Sequence, residues 1–346
     1  MARPLSVRAR DAVFKAILRS PKRVLVALGG GPDRKDGMLL DPHVGVLLNA
    51  VKLAGAVDRP DIASSRRYMD QESQSVAPEL IAMAVDRDLW VSGRSGDLRA
   101  RVYTPKTAHP NAGLLVYFHG GGWAAGSITS HDRSVRELAH NAKCVVMSVE
   151  YSLAPESKFP TAVEDAMAAY VWARANAKEL GADPERVGVG GDSAGGNLSA
   201  VVAHLAKARG VAQPTVQLLI YPAVDMTRGM PSHRTFAKGY MLDEERVVWY
   251  LGHYLESPDQ ERDPRGSPLF YEKFDGLAPA IVVTAGFDVL RDEGEAYATK
   301  LRDAGVRVEY TCETGMIHGF FNMSGAVPAA RDANERMARS LHAYLG

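Results

Sequence analysis

The chain has 346 residues, of which 46% are hydrophobic and 24% are charged, as in an ordinary globular protein. Its formal net charge is +0, which gives no reason to expect a nucleic-acid partner. The two cysteines, Cys144 and Cys312, exclude a disulfide framework and fit a reducing compartment. No apolar run is long enough for a signal peptide or a transmembrane helix. We therefore expect a soluble cytoplasmic protein with no stable membrane insertion.

Residues 1–85 show helical patterns and no clear strand. Apolar side chains recur at helical spacing between Val7 and Leu18 within a basic stretch, and a second helical pattern covers residues 42–53.

From about residue 86 the pattern changes to strands. Residues 88–91 and 98–103 predict an antiparallel pair joined by a turn at 93–96. Short apolar runs then alternate with helical segments. The predicted strands are 113–118, 144–149, 187–190, 216–221, 280–285 and 306–312, and the predicted helices are 135–141, 162–177, 194–209, 293–304 and 330–345. Buried strands that alternate with helices form a mostly parallel sheet covered on both faces, so we predict an α/β fold.

Residues 225–277 interrupt this alternation. The segment is rich in Pro, Gly, Arg, Asp and aromatic residues, and it predicts one helix, over about 244–255. An insertion of this length between two strands is more often a lid than a plain loop.

Ser193 stands in the sequence Gly-Asp-Ser-Ala-Gly of residues 191–195, which matches the pattern G-x-S-x-G. A predicted strand precedes this segment and an apolar helix follows it. A serine on such a tight turn exposes its Oγ at the top of the sheet, and its neighbours must be small because the backbone passes close to itself. The pattern alone also occurs at glycine-rich helix starts. Its flanking elements favour Ser193 as a catalytic nucleophile.

A run of three glycines, Gly120 to Gly122, follows the first predicted core strand. Consecutive glycines let two backbone N–H groups turn toward one point, as a tetrahedral oxyanion requires. We expect Gly121 and Gly122 to supply two donors and Ala194, directly after the nucleophile, to supply the third. The alternative is a phosphate-binding loop, but the Lys-Ser/Thr pair that holds nucleotide phosphates is missing.

A serine nucleophile needs a base. His318 is the best candidate because it follows a predicted strand late in the chain and lies between two glycines. The orienting acid should follow a strand between the serine and the histidine. Asp288 fits this position. We favour it over Asp292, which lies inside the next helix, and over Asp225, which follows an earlier strand.

The remaining polar candidates have structural interpretations. We expect His119 to brace the glycine loop. Six further histidines are expected at the surface: His131, His140, His204, His233, His253 and His342. No CxxC or HExxH pattern is present, and no G-x-G-x-x-G lies between a strand and a helix. We therefore expect no metal and no cofactor.

In these motifs the chain resembles the hormone-sensitive-lipase-like (HSL) family of α/β-hydrolases. The matching segments are HGGGW (119–123), GS (126–127), HD (131–132), Y (151), LAPE (153–156), FP (159–160), GDSAGGN (191–197), YP (221–222), DVLRDE (288–293) and HGF (318–320). They follow the family's order over about residues 86–346. Two positions depart from the family pattern: Ser152 stands where Arg is usual and Glu150 where Asp is common.

The resemblance implies an α/β-hydrolase fold with a helical cap. It also implies Ser193, Asp288 and His318 as a catalytic triad, with His119 and Gly120 opening the oxyanion segment. The expected organisation is N-terminal cap helices and linker (1–85), a hydrolase core in two parts (86–224 and 278–346), and a cap insertion (225–277). Members typically cleave carboxylic esters with short to medium acyl chains, and many form homodimers through a sheet edge.

We therefore predict a serine carboxylesterase whose partner is a small-molecule ester. Trp123, Asp192 and Phe320 are candidates to line its pocket, although Trp123 and Phe320 are equally explained as core aromatics. An amidase or lactonase with the same triad stays open, because the sequence does not distinguish the leaving group. A non-catalytic small-molecule receptor of the same fold is disfavoured by the presence of His318.

The basic N-terminal helix also has two interpretations. It is either a cap helix packed on the core, which we favour, or a segment that contacts membranes or lipid droplets.

Overall fold

The computed structural model describes residues 16–53, 61–93 and 96–346. Its strands are β1 (Arg34–Lys35), β2 (Met38–Leu39), β3 (Val85–Ser92), β4 (Asp97–Thr104), β5 (Leu114–Phe118), β6 (Val145–Val149), β7 (Val187–Asp192), β8 (Gln217–Ile220), β9 (Ala280–Phe287) and β10 (Val308–Ile317). Its helices are α1 (Lys22–Leu28), α2 (Pro42–Leu53), α3 (Ile62–Val76), α4 (Ile128–Ala142), α5 (Thr161–Asn176), α6 (Ala194–Ala208), α7 (Pro231–Thr235), α8 (Glu244–Tyr254), α9 (Arg291–Asp303) and α10 (Pro328–Leu345). Short 3₁₀ helices cover Pro258–Arg262, Pro268–Phe270 and Phe320–Met323.

An eight-stranded sheet with the order β10-β9-β8-β7-β5-β6-β4-β3 forms the centre of the protein. The six strands from β10 to β6 pair in parallel, whereas β4 and β3 continue the sheet in antiparallel fashion. Strands β5 to β9 are buried along their whole length, as expected for a parallel sheet with helices on both faces. The predicted mostly parallel α/β architecture is confirmed.

Alternate residues of the central strands enter different apolar clusters because side chains of a strand point to opposite faces. Leu115 and Tyr117 of β5 pack in a cluster with side chains of α4 and α10. Leu114 and Val116 pack in the opposite cluster with side chains of α5 and α6. These two layers hold the sheet rigid and thereby fix where its strand ends lie.

The N-terminal region differs from the prediction in one element. Strands β1 and β2 pair as a short antiparallel hairpin, although no strand was expected before residue 85. Asp36 and Gly37 form its turn with φ of 52° and 76°, values that suit an Asp-Gly turn. The part of the predicted basic helix before residue 16 lies outside the described residues.

The hairpin packs against the C-terminal part of β10. The backbone N–H of Asp41 donates to the Gly315 carbonyl at 3.0 Å, and Arg291 of α9 forms an ion pair with Asp36 at 2.7 Å. Strand β10 continues to Ile317, five residues beyond its predicted end, with a register irregularity between Glu313 and Ile317. Gly315, the glycine before His318, is therefore part of the strand.

The insertion at residues 225–277 carries α7 and α8, of which α8 was predicted. Tyr250, Leu251 and Tyr254 of α8 are buried in the same cluster as Trp123, and the Trp123 and Tyr254 rings stack with their centroids 4.6 Å apart. The insertion thus lies against the loop that follows β5. Within the described ranges, no helix has both the length and the apolar character needed to cross a membrane.

Candidate active site

Ser193 lies between the last residue of β7 and the first residue of α6. Its φ of 56° and ψ of −118° form a strained conformation for a residue with a side chain, of the kind that costs about 1–3 kcal/mol and clusters at functional sites. A Cβ at Gly191 or at Gly195 would overlap the Phe118 carbonyl. Glycine is therefore required at both positions, and the tight turn leaves the Ser193 side chain partly exposed.

His318 connects Ser193 to a buried carboxylate. Its Nε2 lies 2.9 Å from Ser193 Oγ, and its Nδ1 lies 2.8 Å from Asp288 Oδ2. The Asp288 side chain has 0% exposure and that of His318 has 13%. Because an ionised carboxylate only accepts, it favours the tautomer with the proton on Nδ1 and leaves the Nε2 lone pair facing the serine hydroxyl.

The sheet brings these three residues together. Asp288 directly follows β9 and His318 directly follows β10, and Phe287 and Ile317, the last residues of these strands, pair across the sheet. Parallel strands end on one edge of the sheet, where α/β proteins typically bind ligands. Asp292, the weaker candidate for the acid, instead accepts from the Ser232 N–H at 2.8 Å. The structure thus brings Asp288, and not Asp292, to His318.

The glycine loop after β5 runs beside the serine. Gly121 and Gly122 have φ of 127° and 60°, and the N–H groups of Ala124 and Ala125 close the loop onto the Gly121 carbonyl at 3.2 and 2.9 Å. The N–H groups of Gly121, Gly122 and Ala194 donate to no acceptor within the described residues. All three expected oxyanion donors therefore remain available to a ligand.

Asp192 lies below this loop, not beside a pocket, which corrects the sequence-based expectation. Its side chain is 5% exposed and accepts hydrogen bonds from the Tyr117 hydroxyl at 2.7 Å and the Gly120 N–H at 2.8 Å. His131 Nε2 lies 3.3 Å from it. Burial alone would raise the pKa of Asp192, but the His131 charge and these hydrogen bonds lower it to about 2. The residue is a buried anion that holds the loop from the inner side.

Trp123 and Phe320 are also placed in the interior. Phe320 is fully buried and meets the Tyr221 ring edge-on at 5.2 Å, while Trp123 is 3% exposed beneath Tyr254. Their core interpretation therefore replaces the pocket interpretation. A residue that the sequence did not indicate, Tyr250 of α8, lies on the loop instead, since a Cβ at Gly122 would overlap its ring.

The burial of the histidines differs in part from the prediction. His119 braces the loop as expected: its ring stacks on Tyr151 at 4.5 Å, and burial together with the nearby His131 lowers its pKa to about 3, which keeps it neutral. However, His131, His204 and His233 are buried and not at the surface. Each lies on a helix and contacts a side chain from another part of the chain. His204, for example, stacks on Tyr271 at 3.8 Å.

No group of His, Cys, Asp and Glu side chains in the described parts of the chain has an arrangement that could hold a metal ion.

Comparison with known proteins places these features in a family. Residues 115–322 match a family model described as alpha/beta hydrolase fold. The chain is 42% identical over 320 residues to carboxylic ester hydrolase LipN of Mycobacterium tuberculosis, an alignment that covers 90% of this chain and 84% of that protein. It is 38% identical over 312 residues to carboxylesterase NlhH of the same species, with coverages of 88% and 97%.

Solved structures show the same similarity. An ester-hydrolase from the metagenome of Lake Arreo, solved with a derivative of bipyridine phosphonate, superposes with a TM-score of 0.84 at 38% identity and covers 88% of this chain and 98% of its own. The hyperthermophilic esterase of the archaeon Pyrobaculum calidifontis superposes with a TM-score of 0.80 at 37% identity, with coverages of 86% and 97%.

Proposed function

This chain belongs to the hormone-sensitive-lipase-like family of α/β-hydrolases, and on that premise we propose that it is a carboxylesterase in which Ser193, His318 and Asp288 carry out acyl transfer. The observation that carries the proposal is the continuous chain of contacts from Ser193 Oγ through the His318 imidazole to the Asp288 carboxylate. This arrangement supplies a nucleophile, a base and a group that orients the base.

In the acylation step, Ser193 Oγ attacks the ester carbonyl carbon and His318 Nε2 takes its proton. Asp288 holds the imidazole by its Nδ1–H and stabilises the imidazolium that forms. The carbonyl oxygen becomes an oxyanion, which the available N–H groups of Gly121, Gly122 and Ala194 stabilise. The carbon–oxygen bond to the alcohol then breaks, and the alcohol leaves with the proton from His318.

In the deacylation step, His318 takes a proton from water as the water oxygen attacks the acyl-enzyme carbonyl. The same N–H groups hold the second oxyanion. The bond to Ser193 Oγ breaks, the serine recovers its proton from His318, and the carboxylic acid is released.

We further propose that the acyl group is of short to medium length. Tyr250 supports this assignment, because its ring lies so close to Gly122 that even one methyl group would not fit between them. The Tyr250 ring of α8 thus fills the space on one side of the oxyanion loop. The intact contact between Ser193 and His318 speaks against a non-catalytic receptor.

Replacement of Ser193 tests the proposal directly. We expect Ser193→Ala to abolish turnover of p-nitrophenyl butyrate and labelling by a fluorophosphonate probe, because no other group would attack the carbonyl. Ser257→Ala is the matched control, since Ser257 is exposed and its side chain caps no helix. Turnover that survives in Ser193→Ala would refute the assignment. A panel of matched esters, amides and lactones measures the preference for the leaving group.

A further inference from the structure

Arg66 of α3 reaches from the N-terminal region to the loop that carries the oxyanion donors. Its Nε donates to the Ala124 carbonyl at 2.8 Å, and its Nη2 donates to the Ala154 carbonyl at 2.7 Å. Nη1 and Nη2 also bind the two oxygens of Glu156 at 2.9 and 2.7 Å. One planar guanidinium therefore ties two separate loops together through four hydrogen bonds.

The two carbonyl groups belong to one connected structure. The Ala124 N–H closes the loop onto the Gly121 carbonyl at 3.2 Å, and the Ala154 N–H donates to the Trp123 carbonyl at 2.8 Å. Ala124 and Ala154 are fully buried. Arg66 thus binds the outer side of the loop directly beside the residues that offer their N–H groups to the oxyanion.

The inner side of the same loop has its own anchor, since the Gly120 N–H donates to the buried Asp192 carboxylate. The donors of Gly121 and Gly122 lie in the chain between this anchor and the Arg66 contact at Ala124. The backbone at Gly121 is also closely packed, because a Cβ there would overlap the Ala125 carbonyl. The loop is therefore held at both ends of the donor pair.

We propose that Arg66 is a positioning residue for the oxyanion hole, an inference that rests on the proposed acyl-transfer function. Its pairing with Glu156 does not explain the arrangement, because the Glu156 side chain is 61% exposed and exposed ion pairs contribute little to stability. The bonds to two buried carbonyls determine loop geometry. A guanidinium fork suits this task because its donors have fixed directions, which a lysine ammonium lacks.

Arg66→Ala tests the proposal with p-nitrophenyl butyrate. Because displacement of a catalytic group by about 1 Å costs roughly 10²-fold in rate, we expect kcat to fall about 10- to 100-fold while KM stays within about two-fold. The Ki of a trifluoromethyl ketone, which forms an oxyanion on the serine, should rise by the same factor. Arg66→Lys keeps the charge but cannot make all four bonds, so its kcat should also fall. Added guanidinium should partly restore kcat in Arg66→Ala.

Arg67→Ala is the matched control, because Arg67 is an exposed neighbour on the same helix that donates to the Ser64 hydroxyl of that helix and lies near the charge of Asp61. Rates are normalised to the serine labelled by a fluorophosphonate, so unfolded protein is not counted. A normalised kcat and a Ki equal to those of the wild type would overturn the proposal, and Arg66→Lys decides the matter if Arg66→Ala does not fold. Failure of the underlying function would look different: the wild type itself would show no labelled serine and no inhibition by the ketone.

Discussion

The Asp192 carboxylate accepts a hydrogen bond from the Gly120 backbone N–H at 2.8 Å. The residue before the proposed nucleophile is thereby tied to the residue before the proposed oxyanion donors. A short buried contact of this kind fixes the position of the attacking oxygen relative to the N–H groups. Stabilisation of a developing oxyanion requires donors that are held in place in this way.

Asp192→Asn should weaken both the fold and catalysis. The amide keeps the shape of the side chain but leaves His131 without its buried anionic partner, and loss of one member of a buried ion pair typically costs about 3–5 kcal/mol. We expect the free energy of unfolding, measured with urea, to fall by about 3 kcal/mol, and kcat to fall about 10-fold as the loop loosens.

Glu137→Gln separates these two effects. Glu137 of α4 is another buried carboxylate, which accepts from the Ser324 hydroxyl at 2.8 Å and from the Asn334 side-chain amide at 3.1 Å. This variant should lose stability with kcat nearly unchanged. Equal losses of kcat in the two variants would show that Asp192 has no special connection to the loop.

The contact between Gly122 and Tyr250 gives a second prediction. Gly122→Ala should lower kcat at least 10-fold, because the new methyl group overlaps the Tyr250 ring and φ is +60° at this position. In the double variant with Tyr250→Ala, the ring is gone and part of kcat should return. In Gly121→Ala, no replacement of a side chain should restore kcat, since the new methyl group would overlap the backbone carbonyl of Ala125.

The wild type, Gly122→Ala, Tyr250→Ala and the double variant form a double-mutant cycle, whose kcat values are measured by steady-state kinetics. Gly121→Ala serves as a reference outside the cycle. Independent effects of the Gly122 and Tyr250 replacements would contradict the packing that the structure shows.

The parts of the molecule that could be predicted from sequence are those that short segments determine. The parallel strands are continuous apolar runs because both faces of the sheet are buried. The glycines around Ser193 and in the loop after β5 are required by close backbone approach. The order of Ser193, Asp288 and His318 then follows from which strands precede them, so these residues could be singled out without a structure.

What could not be predicted depends on contacts between segments far apart in the chain. Arg66 and Tyr250 lie on helices with ordinary amphipathic sequences, and nothing nearby shows that they touch the loop after β5. Asp192 was expected to line the pocket, whereas its direction into the core depends on contacts with Tyr117 and His131. The Asp-Gly turn at residues 36–37 did signal the missed hairpin, but strands of two residues leave no detectable periodicity.

The choice of acid gives a third prediction. Asp288→Asn should lower kcat by about 10⁴-fold, because an amide can present its NH₂ group to Nδ1 and so hold His318 in the wrong tautomer. Asp292→Asn, only four residues away, should change kcat by a few-fold at most, since Asp292 binds the Ser232 N–H and Arg291 and not His318. Comparable losses in both variants would remove the basis for preferring Asp288.

A fourth prediction concerns a buried cluster between the insertion and α9. His233 of α7 lies between Glu244 of α8, at 2.7 Å, and Glu293 of α9, at 2.9 Å. Arg228 also approaches Glu244 at 3.4 Å. Burial alone would lower the pKa of His233, but its hydrogen bonds to the two glutamates and their charges raise it to about 9. Burial raises the pKa of Glu293 to about 7, with Asp225 adding to the increase and His233 opposing it.

These shifts make the stability of the protein depend on pH in a definite direction. A histidine whose pKa is higher in the folded state stabilises the fold fully below pH 6.5, its unfolded value, and loses this effect as the pH rises through about 9. The change corresponds to about 3 kcal/mol. The raised pKa of Glu293 acts in the same sense between about pH 4.5 and 7, because the folded state again binds more protons.

We therefore expect His233→Gln to lower the free energy of unfolding by about 3 kcal/mol at pH 6 and by much less at pH 10, where wild-type His233 is neutral as well. Urea unfolding of both proteins at intervals between these pH values measures the gap. His109→Gln is the control, because His109 is exposed and its removal should leave the pH dependence unchanged. A gap that stays constant with pH would mean that His233 packs in the cluster without carrying its charge.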